Sequence, residues 1–166
     1  MTVSLGGTAN VAGSVSVDSS LHLVHYRSAD NHLWTYYYPG GSAWSQVRLS
    51  TTANVGDKLV ADSGRQVYCG SSVDGSAWAL YWSGTAWTQV QLNNSATIST
   101  APTLYAPYYV TYINPAGQCA LLYFAGSAWV TGLFGTGGAN LMGGLGAQSA
   151  NALVFARRSD GHIVRF

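Results

Sequence analysis

The chain has 166 residues, of which 48% are hydrophobic, 13% aromatic and only 8% charged. So little charge beside so many aromatics excludes a disordered chain, and the length suits one domain with a real core. A net charge of +1 without a basic stripe gives no footprint for the phosphates of a nucleic acid.

The N-terminal run Met1-Thr2-Val3-Ser4-Leu5-Gly6-Gly7 has neither the basic start nor the apolar centre of a leader. The expectation is a cytoplasmic protein, or one secreted by a non-classical route. No apolar run approaches the ~18 residues of a membrane-spanning helix, so no membrane insertion is expected.

Ala9-Asn10-Val11 follows and returns as Ala53-Asn54-Val55, Ala96-Thr97-Ile98 and Ala139-Asn140-Leu141, at spacings of 44, 43 and 43. An inner strand is expected after each copy. Next comes a hairpin: Leu23-Val24-His25-Tyr26, the pair Asp30-Asn31, then Leu33-Trp34-Thr35-Tyr36-Tyr37-Tyr38. Its later copies turn at Asp74-Gly75, Ala116-Gly117 and Asp160-Gly161. Such pairs tolerate the positive φ of a type I′ turn, which is the turn expected here. A final strand is expected from Trp44, Trp87 and Trp129, each closing a Gly-(Ser/Thr)-Ala-Trp signature.

Markers sharing one period define the architecture. The expected fold is all-β, a four-bladed β-propeller of about 43 residues per blade in a single domain covering 1–166. The repeats run roughly 6–49, 50–92, 93–134 and 135–166 plus 1–5. Thr2-Val3-Ser4-Leu5 matches Gln46-Val47-Arg48-Leu49 and Gln89-Val90-Gln91-Leu92, so the N-terminal strand is expected to complete the last blade and close the ring. Strands apolar on both faces suit blades packed between neighbours. A β-trefoil would show three repeats, whereas four markers are present. A homodimer forming a larger, eight-bladed ring is the other arrangement the repeat allows.

Catalytic signals are absent from the sequence. It contains no Glu, and its six aspartates include three at equivalent turns of different repeats, a poor layout for two converging carboxylates. No nucleophile elbow, His-Glu-x-x-His or Cys-x-x-Cys occurs. The chain reads as a non-enzyme. His22 and His25 would point to opposite strand faces, and His32 and His162 belong to different repeats, so neither metal nor cofactor is expected. Cys69 and Cys119 read as buried, reduced thiols.

Sugar recognition needs aromatic faces and fixed short donors and acceptors. Six Trp, eleven Tyr and many Asn, Ser and Thr supply both, and the scarcity of charge suits a neutral ligand. Trp34 and Trp78 hold one repeat position just past the turn, beside Asp30, Asn31, His32, Asp74, Asp160 and His162, with Arg27 and Arg158 before it. These ten are the candidate ligand-binding residues. Ala120 and Val164 replace the Trp in the other repeats, which limits competence to two blades. Trp44, Trp87 and Trp129 are expected to pack between blades, with Tyr36-Tyr37-Tyr38 and Trp82 mostly in the core. The aspartates read equally as turn formers, and the arginines as their counter-charges.

Tyr26-Arg27-Ser28-Ala29-Asp30-Asn31-His32-Leu33-Trp34 followed by Gly41-Ser42-Ala43-Trp44 resembles sugar-binding β-propellers of the Photorhabdus-type, tachylectin and tectonin groups. Arg158-Ser159-Asp160-Gly161-His162-Ile163 is a second, shorter match. The resemblance spans the chain as a pattern and implies a multivalent lectin for glycans of cell surfaces or glycoproteins. Those groups usually carry five to seven blades. A rigid docking surface for proteins is the alternative function.

Overall fold

The computed structural model describes residues 10–18, 23–40, 43–49, 55–62, 66–71, 73–134, 140–148 and 153–166. They form fifteen strands in four antiparallel sheets that follow one another along the chain. The first sheet holds β1 (Val11–Asp18), β2 (Leu23–Ser28), β3 (Leu33–Tyr37) and β4 (Ser45–Arg48). The second holds β5 (Val55–Asp62), β6 (Gln66–Ser71), β7 (Ser76–Trp82) and β8 (Trp87–Thr97). In the third are β9 (Thr103–Ala106), β10 (Tyr109–Ile113), β11 (Cys119–Phe124) and β12 (Trp129–Leu133). The fourth is three-stranded: β13 (Leu141–Gln148), β14 (Leu153–Arg158) and β15 (Ile163–Arg165). Each sheet is a meander in sequence order. The expected closing strand at 2–5 lies outside the described residues. Among the described residues, no helix is long and apolar enough to cross a membrane.

β-Branched and aromatic side chains build the middle strands, and these are buried on both faces, as in β6, β7 and β10. Three apolar clusters hold the sheets together, each shared by two neighbours. Leu33 and Leu49 pack with Val55, Leu59, Val67 and Leu80. Ala77, Leu92 and Ala96 pack with Ile98, Val110 and Leu122. Ile113 and Cys119 pack with Leu141, Val154 and Ala156. The first strands follow the same succession, β1 lying against β5, β5 against β9 and β9 against β13. A register shift sits early in β1, β5 and β13, in each case beside glycine (Gly13, Gly56, Gly143-Gly144), the residue that suits a bulge.

Two expectations change. The third inner strand does not begin at its Ala-Thr-Ile marker: β8 continues through Ala96 and Thr97, with Thr97 opposite Ser76, and β9 starts at Thr103. Pro102 immediately before β9 carries no N–H for a ladder, so the strand starts after it. The hairpin turns are not type I′, which needs positive φ at both central residues. Only the second member of each pair has it: Asn31 (63°), Gly75 (73°), Gly117 (72°) and Gly161 (89°). The N–H groups of Asn31, Gly117 and Gly161 donate three residues back, to Ser28, Asn114 and Arg158, at 2.9–3.0 Å. This is the longer hairpin loop ending on one left-handed residue, and it leaves the preceding aspartate free to accept with its side chain.

Candidate functional site

The candidate residues form three local groups, one on each of three sheets. On the first, Asp30 Oδ1 accepts the His32 backbone N–H at 3.1 Å, and His32 Nδ1 lies 3.2 Å from Asp30 Oδ2. Burial opposes the Asp30 charge, but the His32 N–H and ring, with the Ser28 and Trp34 side chains, outweigh it and hold the carboxyl below its ordinary range. Arg27 does not neutralise this aspartate. Its guanidinium donates to Asn31 Oδ1 and, at 3.2 Å, to the Ala12 carbonyl. Trp34 is half-buried, with Tyr26 and Arg48 as cross-strand neighbours.

On the second sheet, Asp74 Oδ1 accepts the Ser76 N–H at 3.0 Å and the Ser76 hydroxyl at 2.8 Å. These bonds, backbone first, hold the Asp74 carboxyl below its ordinary range. Ser76 Oγ in turn accepts the Trp78 indole N–H at 3.0 Å, so the turn fixes the ring. One part of Trp78 packs on the first apolar cluster. The rest walls a groove of about 380 Å³ with Asp74, Ser76, Gln89 and Gln91. On the fourth sheet, Asp160 Oδ1 accepts the His162 N–H at 3.1 Å, and Arg158 lies 3.4 Å from Oδ2. Here the arginine does act as counter-charge. The His162 N–H leads the effects that lower the Asp160 pKa.

The third sheet has no aspartate at its turn. Asn114 takes the role, its Oδ1 accepting the Gln118 N–H at 2.9 Å. Ala120 stands where Trp78 does, and a comparable hollow of about 370 Å³ opens there, lined by Ala120, Asn114 and Thr131. A turn aspartate thus holds the backbone in three of the four copies and Asn114 does so in the other, and only the first and second copies carry a tryptophan just past the turn, Trp34 and Trp78.

A second concavity was not legible as a site. A cleft of about 420 Å³ between the first and second sheets is lined by Thr35, Tyr37, Tyr38, Val47, Trp82 and Trp87. Tyr38 and Trp82, expected in the core, instead line it: Tyr38 is exposed and Trp82 half-buried. The signal lay in the repeat. Each signature Trp has an aromatic partner across its hairpin: Tyr38 with Trp44 at 5.7 Å, Trp82 with Trp87 at 6.0 Å, Phe124 with Trp129 at 5.7 Å. Two of these tryptophans bridge sheets as expected, Trp87 edge-on to His25 and Trp129 edge-on to Tyr68. Below the cleft, buried His25 bonds Thr35 Oγ1 through Nδ1 at 2.5 Å. Burial lowers its pKa to about 4, against a smaller opposing pull from Asp18.

Among the described residues no three His, Cys, Asp or Glu converge as a metal site. Cys69 and Cys119 are buried free thiols, and burial raises their pKa to about 12 and about 11. His22 lies outside the described residues.

No protein-family model matches the chain, and no curated protein does. Among solved structures it is similar to a chain of the crystal structure of a nidogen/laminin complex, with a TM-score of 0.57 at 11% identity. The match covers 87% of this chain and 56% of the other, so the chain spans little more than half of that neighbour. At that identity the likeness is one of all-β fold alone.

Proposed function

We propose that the four sheets are four blades of a β-propeller and that the protein is a non-enzymatic lectin for neutral glycans. The neighbour among solved structures contains a β-propeller, and the succession of four meanders joined by shared apolar clusters fits that architecture. The observation that carries the ligand reading is the groove of the second sheet. It pairs the face of a fixed Trp78 ring with the carboxylate of Asp74 and the amides of Gln89 and Gln91. A pyranose offers an apolar face to the first and hydroxyls to the rest. On the first sheet Trp34, Asp30 and His32 stand at the equivalent positions, while Arg158, Asp160 and His162 provide polar groups without a ring. Two weak sites on one rigid body gain avidity on a glycan-dense surface.

The alternative, a protein-docking scaffold, draws on the more apolar cleft at Tyr38, Trp82 and Trp87. A glycan array separates the readings. Wild type should bind, and Trp34→Ala/Trp78→Ala, verified as folded, should lose binding. Loss in Tyr38→Ala/Trp82→Ala alone moves the sugar to the cleft. No binding by wild type leaves the docking scaffold.

A further inference from the structure

The junctions between sheets repeat down to single atoms. At each, the residue opening the inner region of one repeat donates its backbone N–H to the turn carbonyl of the repeat before. Val55 donates to Asn31 at 3.0 Å, Ile98 to Gly75 at 2.8 Å and Leu141 to Gly117 at 3.0 Å. Two apolar positions close over each bond. Those opening the third strand are Leu33, Ala77 and Cys119, exposed by 0, 0 and 2%. Those opening the inner region are Val55, Ile98 and Leu141, exposed by 3, 8 and 5%.

The fourth member of each set breaks the pattern. Ile163 is 77% exposed, and Val11 is 51% exposed. No bond from the Val11 N–H to the Gly161 carbonyl forms among the described residues. The exposure continues along β1: Val15 and Val17 are open to solvent, whereas Leu59, in the place of Val15, is buried. So the fourth sheet presents the donor-seeking half of a junction and the first sheet presents the other half. Among the described residues the two halves are not joined as the other three junctions are.

We infer that a second copy of this chain makes the missing junction, the face of Gly161 and Ile163 on one protomer docking on the Val11, Val15 and Val17 face of its partner. The occupant is specified by the repeat itself, since three internal junctions show what covers each half, and the chain carries both halves. A twofold pair satisfies both junctions at once and closes without leaving a free end. It also covers an apolar face that a lone chain would expose to water. This inference is independent of the ligand.

Sedimentation velocity over a range of concentrations tests it. Wild type should run at twice the chain mass, and Val15→Asp and Ile163→Asp should each weaken association at least tenfold while keeping the wild-type near-UV circular dichroism. Chains carrying Val11→Cys, mixed with chains carrying Ile163→Cys, should be joined by a short bismaleimide into a covalent pair. The buried Cys69 and Cys119 should stay unreacted. A wild type that sediments as a single chain at every concentration overturns the inference. So does a Val11→Cys/Ile163→Cys chain that cross-links only within itself.

Discussion

At Asp74-Gly75 and at Asp160-Gly161 the chain makes closely similar turns. A left-handed glycine ends each loop, and the aspartate accepts the N–H of the residue two further on at 3.0 and 3.1 Å. Around the second-sheet turn stand Ala77, fully buried, the Ile98 N–H on the Gly75 carbonyl, and Trp78 walling a groove. Around the fourth-sheet turn stand exposed Ile163, an exposed His162 and Val164 in place of the tryptophan. The lesson is that the turn is a local object and the site is not. Asp and Gly make the turn wherever they occur, but the neighbouring sheet decides what the turn supports.

The sharpest way to break this contrast is a charge at the equivalent third-strand position. Ala77→Asp buries an unpaired carboxylate at a cost comparable to the ~5–15 kcal/mol that holds a domain folded, and should abolish the cooperative transition in urea. Ile163→Asp should leave the stability of the single chain within about 0.5 kcal/mol. Equal effects at the two sites would mean that Ile163 is covered within its own chain.

His25 extends the contrast to the first sheet, since Tyr68 holds the equivalent place in the second. The folded His25 pKa is lowered from 6.5 to about 4, so the unfolded chain takes up a proton first. Its neutral burial is fully tolerated above pH 6.5, and stability drains away as pH falls from there towards about 4. The loss at the acid end is ~3 kcal/mol. Urea titrations of wild type and His25→Gln between those pH values should converge on acidification, and a wild type with no slope there refutes the assignment.

Next in size is the glycine pair. Alanine at either left-handed position costs ~1 kcal/mol in backbone strain. A Cβ on Gly75 would also meet Thr97 Cγ2 at 2.9 Å and the Ile98 carbonyl at 3.2 Å, whereas one on Gly161 meets nothing within 4 Å. Gly75→Ala should therefore lower the urea midpoint more than Gly161→Ala. The smallest effect is acid sensitivity of the turns. The Asp74 and Asp160 pKa values are lowered by backbone N–H bonds, so their contribution is present above the ordinary carboxylate pKa and is lost as pH falls through the folded one. Asp74→Asn and Asp160→Asn should flatten the melting temperature below pH 4 by similar amounts. A marked difference would show that the turns are not locally autonomous.

Much of the molecule was legible in the sequence. The period of about 43 residues placed four meanders, and the turn pairs Asp30-Asn31, Asp74-Gly75, Ala116-Gly117 and Asp160-Gly161 placed the hairpins. Both are local: a strand needs a run of β-branched and aromatic residues, and a loop needs one residue at ease with positive φ. The turn type was misread because the same Asp that suits a type I′ turn also accepts a backbone N–H with its side chain, and that second use won. The third inner strand was misplaced because Ala96-Thr97 reads alike as a strand start and a strand end, and the pairing of Thr97 with Ser76 settled it.

Other properties were decided only in three dimensions. The sequence places Trp34, Trp78, the three signature tryptophans and their partners Tyr38, Trp82 and Phe124 at repeated positions, but their exposure depends on which sheet lies against them. That is why Trp78 walls a groove, why Tyr38 and Trp82 line a cleft, and why Ile163 is open where Leu33, Ala77 and Cys119 are closed. A repeat determines what each position offers. Burial belongs to the contact between repeats, and each contact depends on whether a neighbouring sheet is there to make it.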